Sequence, residues 1–207
     1  MDNDDLVDLL KTRGVLSSER VEEAFRAVDR ADFVPDEQKR HAYEDRPLPI
    51  GHDQTISAPH MVAVMTEELA PQEDDTVLEV GTGSGYQAAV LAELVERLIT
   101  TEIVPALAEK ACEQLEGYDN VTVVAADGST GYEEEAPYDK ILFTAAAADL
   151  PQAVFDQLAA PGRLVAPVGD RRSQELRIYV KDEDGELMER RGRRVRFVPL
   201  TGATGQG

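Results

Sequence analysis

The residues with the most chemical potential lie in one short stretch, Val77-Leu78-Glu79-Val80-Gly81-Thr82-Gly83-Ser84-Gly85-Tyr86. An apolar run enters three glycines at alternate positions, and a helix-forming segment follows. Glycine permits positive φ and lets a ligand approach the backbone. The helix that follows would present free N–H groups and the positive end of its dipole. A tight strand–helix turn would by itself account for such a stretch. The next two apolar runs add weight to a ligand. Glu102 stands about 20 residues on, where an acid at a strand end can hold ribose hydroxyls. Asp127-Gly128 closes the third run, beside the same crevice. The spacing is Gly-x-Gly-x-Gly, whereas dinucleotide sites prefer Gly-x-Gly-x-x-Gly.

A second candidate lies upstream, in Gln54-Thr55-Ile56-Ser57-Ala58-Pro59-His60. Ser57 reads most simply as the N-cap of a helix starting near Pro59. The same geometry would suit a carboxylate ligand, held by a hydroxyl beside a helix N-terminus. The other reactive types read as structure. Cys112, near Ala108, Ala111 and Leu115, is expected to be a half-buried thiol. His60 falls on a helix face. Three scattered histidines and one cysteine do not make a zinc site, so no metal is expected.

These residues need elements to position them. Leu6, Leu9 and Leu10 form one helical stripe; Val21, Ala24, Phe25 and Val28 form another, after Ser17 or Ser18 as N-cap. Residues 35–56 look irregular. A helix from Pro59 carries Met61, Val64, Met65 and Leu69 on one face. From residue 76 the pattern alternates. Strands are expected at 76–80, 98–103, 121–126, 139–145 and 163–168, and helices at 86–97, 104–115 and 152–159. Such βαβ units imply a parallel sheet with right-handed crossovers. Runs at 176–181 and 193–200 flank the hairpin signal Asp184-Gly185, so the sheet is expected to close with antiparallel strands. The fold reading is Rossmann-like α/β, mostly parallel, with an N-terminal helical cap. Residues 1–207 are read as one domain: a helical, substrate-side region over 1–70, then a core and terminal hairpin over 71–207.

Composition narrows the classes. Apolar residues make up 42% of the 207, enough for a core. No run approaches the ~20 apolar residues of a membrane span, and the start of the chain lacks a signal peptide's pattern. A cytoplasmic protein is expected. Forty-one acids against 21 bases give a net charge of −20, and only five of the bases are lysine. Acids spread along the whole chain suit a salt-rich cytosol, where ions screen self-repulsion. The same field opposes binding to a phosphate backbone, so no nucleic-acid partner is expected. The one basic cluster, Arg190 to Arg196, reads as charged positions around a late strand.

The Gly-x-Gly-x-Gly turn with Glu102 and Asp127 resembles the class I methyltransferases. Gln54-Thr55-Ile56-Ser57 followed by Leu78-Glu79-Val80-Gly81-Thr82-Gly83-Ser84-Gly85-Tyr86 resembles, more narrowly, the protein-L-isoaspartate O-methyltransferase family. Further matches run along nearly the whole chain: Arg20-Val21-Glu22-Glu23-Ala24-Phe25, Phe33-Val34-Pro35, Ala136-Pro137-Tyr138-Asp139, Gly162 to Gly169, and Arg196-Phe197-Val198-Pro199-Leu200. The resemblance implies S-adenosyl-L-methionine as cofactor. It implies isoaspartyl-containing proteins and peptides as substrates; the chain is further expected to be a monomer acting without membrane or nucleic acid. It assigns the catalytic role to Ser57. Cofactor contacts would come from Gln54, Thr55, Ile56 and Ser57, from Glu79, Gly81, Gly83 and Gly85, from Glu102, Ile103, Asp127 and Gly128, and from Thr201 and Gln206. It also implies an altered order of the last strands. Two alternatives stay open at this level: a methyltransferase of the same fold acting on a small molecule or nucleic acid, and a non-catalytic sensor of an adenosine ligand. The sensor would not need Gln54–Ser57 or the Phe197–Leu200 segment.

Overall fold

The computed structural model describes residues 1–204. Helices α1 (Asn3–Thr12) and α2 (Glu19–Ala27) open the chain. A capping box starts α1: the Asp2 carboxylate accepts from Asp5 N at 3.0 Å, and the Asp5 carboxylate accepts from Asp2 N at 3.2 Å. At α2 the expected serine cap is replaced. Ser18 stands at the N-cap without a side-chain bond. Glu67, from the later helix, accepts instead from Ser17 N, Ser17 Oγ and Ser18 N at 2.8, 2.7 and 2.9 Å. A carboxylate at a helix N-terminus also favours the dipole.

The segment read as irregular contains a small hairpin, β1 (Leu48–Gly51) and β2 (Gln54–Ile56). Its two-residue turn, His52-Asp53, has φ of 52° and 57°, the left-handed pair that closes a tight hairpin. This hairpin delivers Gln54 to Ser57 to helix α3 (Pro59–Leu69).

The main sheet follows: β3 (Thr76–Val80), helix α4 (Tyr86–Ala92), β4 (Arg97–Glu102), helix α5 (Pro105–Gln114), β5 (Val121–Ala125), β6 (Tyr138–Phe143), helix α6 (Gln152–Asp156), β7 (Leu158–Gly169), β8 (Gln174–Lys181) and β9 (Leu187–Val195). The strand order is β5-β4-β3-β6-β7-β8-β9. Strands β3 to β7 pair in parallel; β8 and β9 add antiparallel, in chain order. The chain leaves β3 toward β4 and β5 on one side, and returns to β6 and β7 on the other. The crevice at this reversal is where such sheets bind ligands.

Two apolar clusters cover the sheet. One joins Leu6, Leu10, Phe25 and Met65 of the N-terminal helices to Ala88 and Leu91 of α4 and to Val77, Leu98 and Leu142 of the sheet. The other holds Leu78, Ile99, Phe143 and Leu164 under Val154 of α6 and Leu200. The helical cap therefore shares its core with the sheet.

Several boundaries differ from the sequence expectation. Helix α4 stops at Ala92, not Arg97, because Asn120 Nδ2 donates to Ala92 O and Val95 O, each at 2.9 Å. This side chain satisfies carbonyls that another helical turn would have used. Pro161-Gly162 falls inside β7 as an irregularity, the register jumping from Tyr138↔Leu158 to Lys140↔Arg163. Strand β9 starts at Leu187, not Arg193. The Asp182 carboxylate accepts from Asp184 N and Glu186 N at 3.0 and 2.9 Å, which tightens the turn and starts pairing at once. Phe197 to Leu200 lie beyond the strand, and Pro199 bridges to Ala146. Cys112 is exposed, not half-buried.

Candidate active site

The ends of β3, β4 and β6 open on a cleft. Its floor is the glycine turn. Gly81 has φ of 100°, and a Cβ there would sit 2.5 Å from Thr144 Oγ1. Only glycine lets the ends of β3 and β6 come this close. The Thr144 hydroxyl donates to Val80 O at 3.0 Å and also to Gly81 O, fixing the turn from the far side. On the near side, Gly81 N and Thr82 N donate to Thr101 O at 2.9 and 3.1 Å.

Glu102 ends β4 at the cleft wall. Its Oε2 accepts from Gly83 N at 2.8 Å and its Oε1 from Val104 N at 2.9 Å. A carboxylate oxygen accepts two hydrogen bonds, so each retains a lone pair for a hydroxyl in the cleft. Ile103, beside it, is 40% exposed and offers an apolar face to the same space. Gly128 lies across from them. A Cβ on it would meet Thr101 Oγ1 at 2.2 Å, so the backbone of the third loop passes directly over β4.

The segment from the hairpin into α3 lines the same cleft with Gln54, Thr55, Ile56 and Ser57. Ser57 is half-buried. It is not the helix cap that the sequence suggested. Ala58 holds that position in α3, with no side-chain cap bond. The Ser57 hydroxyl makes no hydrogen bond among the described residues, although it lines the cleft. His60 is turned to structure: its Nδ1 and backbone N lie 2.7 and 3.0 Å from Asp45 Oδ1. Arg13 Nη1 holds Asp45 Oδ2 at 2.7 Å. Burial opposes ionisation of Asp45, but the His60 and Arg13 contacts outweigh it and hold its carboxyl below the usual range.

Two expected contact residues do not line the cleft: Glu79 lies in the core, and Asp127 is exposed beside the C-terminal segment. Glu79 is fully buried in β3. Burial pushes its carboxyl up to about 8, against the lowering effect of the Thr100 hydroxyl, so it is largely neutral at pH 7. Thr100 Oγ1 donates to Glu79 Oε2 at 2.5 Å and lies 2.7 Å from Thr82 Oγ1, linking Glu79 to the glycine turn. Asp127 is engaged with the C-terminal segment. Its Oδ1 accepts from Ser129 N at 2.9 Å and its Oδ2 from Ala203 N at 2.7 Å. Burial would raise this carboxyl, but the two backbone donors outweigh it and lower it. Asp127 thereby pins the segment whose Thr201 lines the cleft. Gln206 lies outside the described residues.

The structure also brings in walls that the sequence did not single out as contacts. Met65 of α3 reads as part of a core stripe, and Val62 lies outside that stripe; both are buried, yet they line the cleft. Their helical spacing is the same for a core stripe and for a site wall. Thr144 and Ala145 follow β6, and Val198 to Leu200 close the rim. The closure depends on backbone pairing, with Ala146 N donating to Val198 O and Leu200 N to Ala146 O, each at 2.8 Å.

The family model for protein-L-isoaspartate(D-aspartate) O-methyltransferase (PCMT) matches residues 1–205. The chain belongs to the protein-L-isoaspartate(D-aspartate) O-methyltransferase family. Two relatives named protein-L-isoaspartate O-methyltransferase come from archaea. That of Methanopyrus kandleri is 53% identical over 206 residues, covering 97% of this chain and 91% of the relative. The second such enzyme of Archaeoglobus fulgidus is 55% identical over 193 residues, covering 91% and 88%. Among solved structures, a beta-aspartate methyltransferase (PCMT) from Plasmodium falciparum in complex with S-adenosyl-L-homocysteine superposes with a TM-score of 0.86. It is 27% identical and covers 97% of this chain and 99% of its own. The family fold thus extends over the helical cap as well as the sheet.

Proposed function

We propose that the chain transfers a methyl group from S-adenosyl-L-methionine to the free carboxylate of L-isoaspartyl residues in damaged proteins and peptides. The observation that carries this is one cleft walled by both halves of the machinery. The glycine turn and Glu102 line it together with Gln54 to Ser57. The family model spans both halves, and the Plasmodium falciparum relative was solved with the demethylated form of the cofactor.

The walls suit the cofactor. Glu102 keeps lone pairs for a ribose diol, and Ile103 supplies an apolar surface for a flat base. The open turn from Gly81 to Gly85 leaves backbone in reach of a polar chain. Once bound, S-adenosylmethionine supplies a sulfonium-activated methyl group. The acceptor is an α-carboxylate that titrates at about 3.5 when free, so it is already a nucleophile at neutral pH and needs no general base. The protein's part is then alignment and exclusion of water. Ser57 has a free hydroxyl at the junction and would donate a hydrogen bond to the acceptor carboxylate, orienting one oxygen. Asp127 acts through the C-terminal segment that it holds against the cleft.

The enzyme is further proposed to be a cytoplasmic monomer adapted to salt, acting without nucleic acid, with residues 1–207 as one unit. The shared core of cap and sheet supports the single unit. The charge of −20 supports salt adaptation and disfavours contact with like-charged copies or phosphate backbones. The lone cysteine suits a reducing compartment. Among the described residues, no helix is long and apolar enough to cross a membrane.

The test uses two peptides differing only in isoAsp against Asp, with methyl-labelled cofactor. Base-labile label should appear in the isoAsp peptide and little in its twin. Equal labelling of both would overturn the repair reading.

A further inference from the structure

The basic residues are placed unevenly for so acidic a chain. Arg171 and Arg172 lie in the loop between β7 and β8; Arg193 and Arg194 lie at the end of β9, and Arg196 just beyond it. All five side chains are exposed. None forms an ion pair among the described residues, whereas their neighbours Arg190 and Arg191 reach Glu68, Glu175 and Glu189. The acids nearby are occupied or few. Asp170 Oδ1 accepts from Arg172 N and Ser173 N at 2.7 and 2.8 Å, closing the loop on itself. Glu175 stands opposite Arg194 in the register.

Topology puts these arginines at the cleft end of the sheet. Strand β7 runs parallel to β6, whose end supplies Thr144 and Ala145 to the cleft. The loop after β7 therefore emerges on that side, and β9, antiparallel to β8, finishes beside it. Gln174 fastens the two together: its Oε1 accepts from Phe197 N at 2.7 Å and its Nε2 donates to Phe197 O at 3.2 Å. The chain then runs from Arg196 directly into Val198–Thr201, the rim of the cleft.

We propose that Arg171, Arg172, Arg193, Arg194 and Arg196 form a docking rim for an acidic segment of the protein substrate flanking the isoaspartyl residue. The inference rests on the methyltransferase reading and adds a substrate preference to it. Guanidinium groups pair with carboxylates through two parallel hydrogen bonds, and unpaired ones at the cleft end of the sheet are free to do so. A protein segment suits the rim better than nucleic acid, because the chain as a whole carries −20 and repels a dense run of phosphates.

The test uses two isoaspartyl peptides. One carries glutamates two to five residues from the isoAsp on both sides; the other carries glutamines there. The wild-type chain is compared with a variant carrying Arg→Gln at all five positions. Several exposed pairs together should give the wild type about tenfold higher kcat/KM on the glutamate peptide at 0.1 M KCl, expressed in KM. The preference should shrink in 2 M KCl. The variant should lose it while keeping wild-type turnover of the glutamine peptide and an unchanged melting midpoint. Equal KM of the wild type for both peptides overturns the proposal, and that comparison decides even without the variant. A preference that survives in the variant also overturns it. Equal KM together with duplex DNA binding that only the wild type shows would assign the rim to nucleic acid instead. If neither peptide is methylated, the methyltransferase reading falls, and the docking rim with it.

Discussion

Replacing Ser57 by alanine separates orientation of the substrate from stability of the fold. Had Ser57 capped α3, its loss would have cost about 1 kcal/mol. The cap position belongs to Ala58, and the Ser57 hydroxyl has no partner among the described residues. The stability change in Ser57→Ala should therefore stay within about 0.5 kcal/mol, as for substitutions away from caps and cores. Turnover should behave otherwise. An orienting hydrogen bond made at the reacting carboxylate is worth roughly 10²-fold in rate, about 2.7 kcal/mol of barrier. Cofactor affinity should change little, because Glu102 and the glycine turn, not Ser57, are read as carrying most of that binding. Ser57→Thr keeps a hydroxyl and should retain more activity than Ser57→Ala. The assay is turnover of the isoAsp peptide by the three proteins, beside their melting midpoints and cofactor affinities by calorimetry. Near-normal turnover by a folded Ser57→Ala protein would refute the orienting role.

Glu102→Ala should weaken S-adenosylmethionine affinity by at least about tenfold, since charge-assisted hydrogen bonds contribute roughly 1.5–3 kcal/mol each. It should also lower the melting midpoint, because Gly83 N and Val104 N lose their acceptor; unchanged affinity by calorimetry would displace Glu102 from the site. The Glu79 carboxyl rises on folding from its ordinary 4.5 to about 8, through burial. Between those values the native state holds a proton that the unfolded chain has released, so stability falls as pH rises through this window. Glu79→Gln cannot titrate, and its melting midpoint should gain on the wild type from about pH 5 to 8; parallel curves would show that Glu79 is ionised in the fold. Screening of the −20 charge should raise the melting midpoint between roughly 0.1 M and molar KCl, and a flat or falling midpoint would remove the case for salt adaptation.

The α/β alternation, the glycine turn and the family were legible in the sequence because each rests on local pattern. Strand and helix periods repeat within a few residues, and the positive φ of Gly81, Gly83 and Gly85 is a local property, although the close approach of Thr144 to Gly81 is not. Glu102 was placed by strand spacing, and the strand delivered it to the cleft. Other features depended on partners far away in the chain. Asn120 decides where α4 stops, and Glu67 takes over the cap expected of a serine. Whether Ser57 caps a helix or faces the cleft turns on one residue of register at the start of α3. Asp127 and Glu79 carry the same carboxyl group, but one lowers its pKa on backbone donors and the other has it raised by burial. Residue types and local periods set which chemistry the chain carries, and both can be read along the chain. Which carboxylate faces the cleft, and which ones brace the glycine turn and the C-terminal segment, follows from burial and long-range hydrogen bonds, and these arise only when distant segments meet.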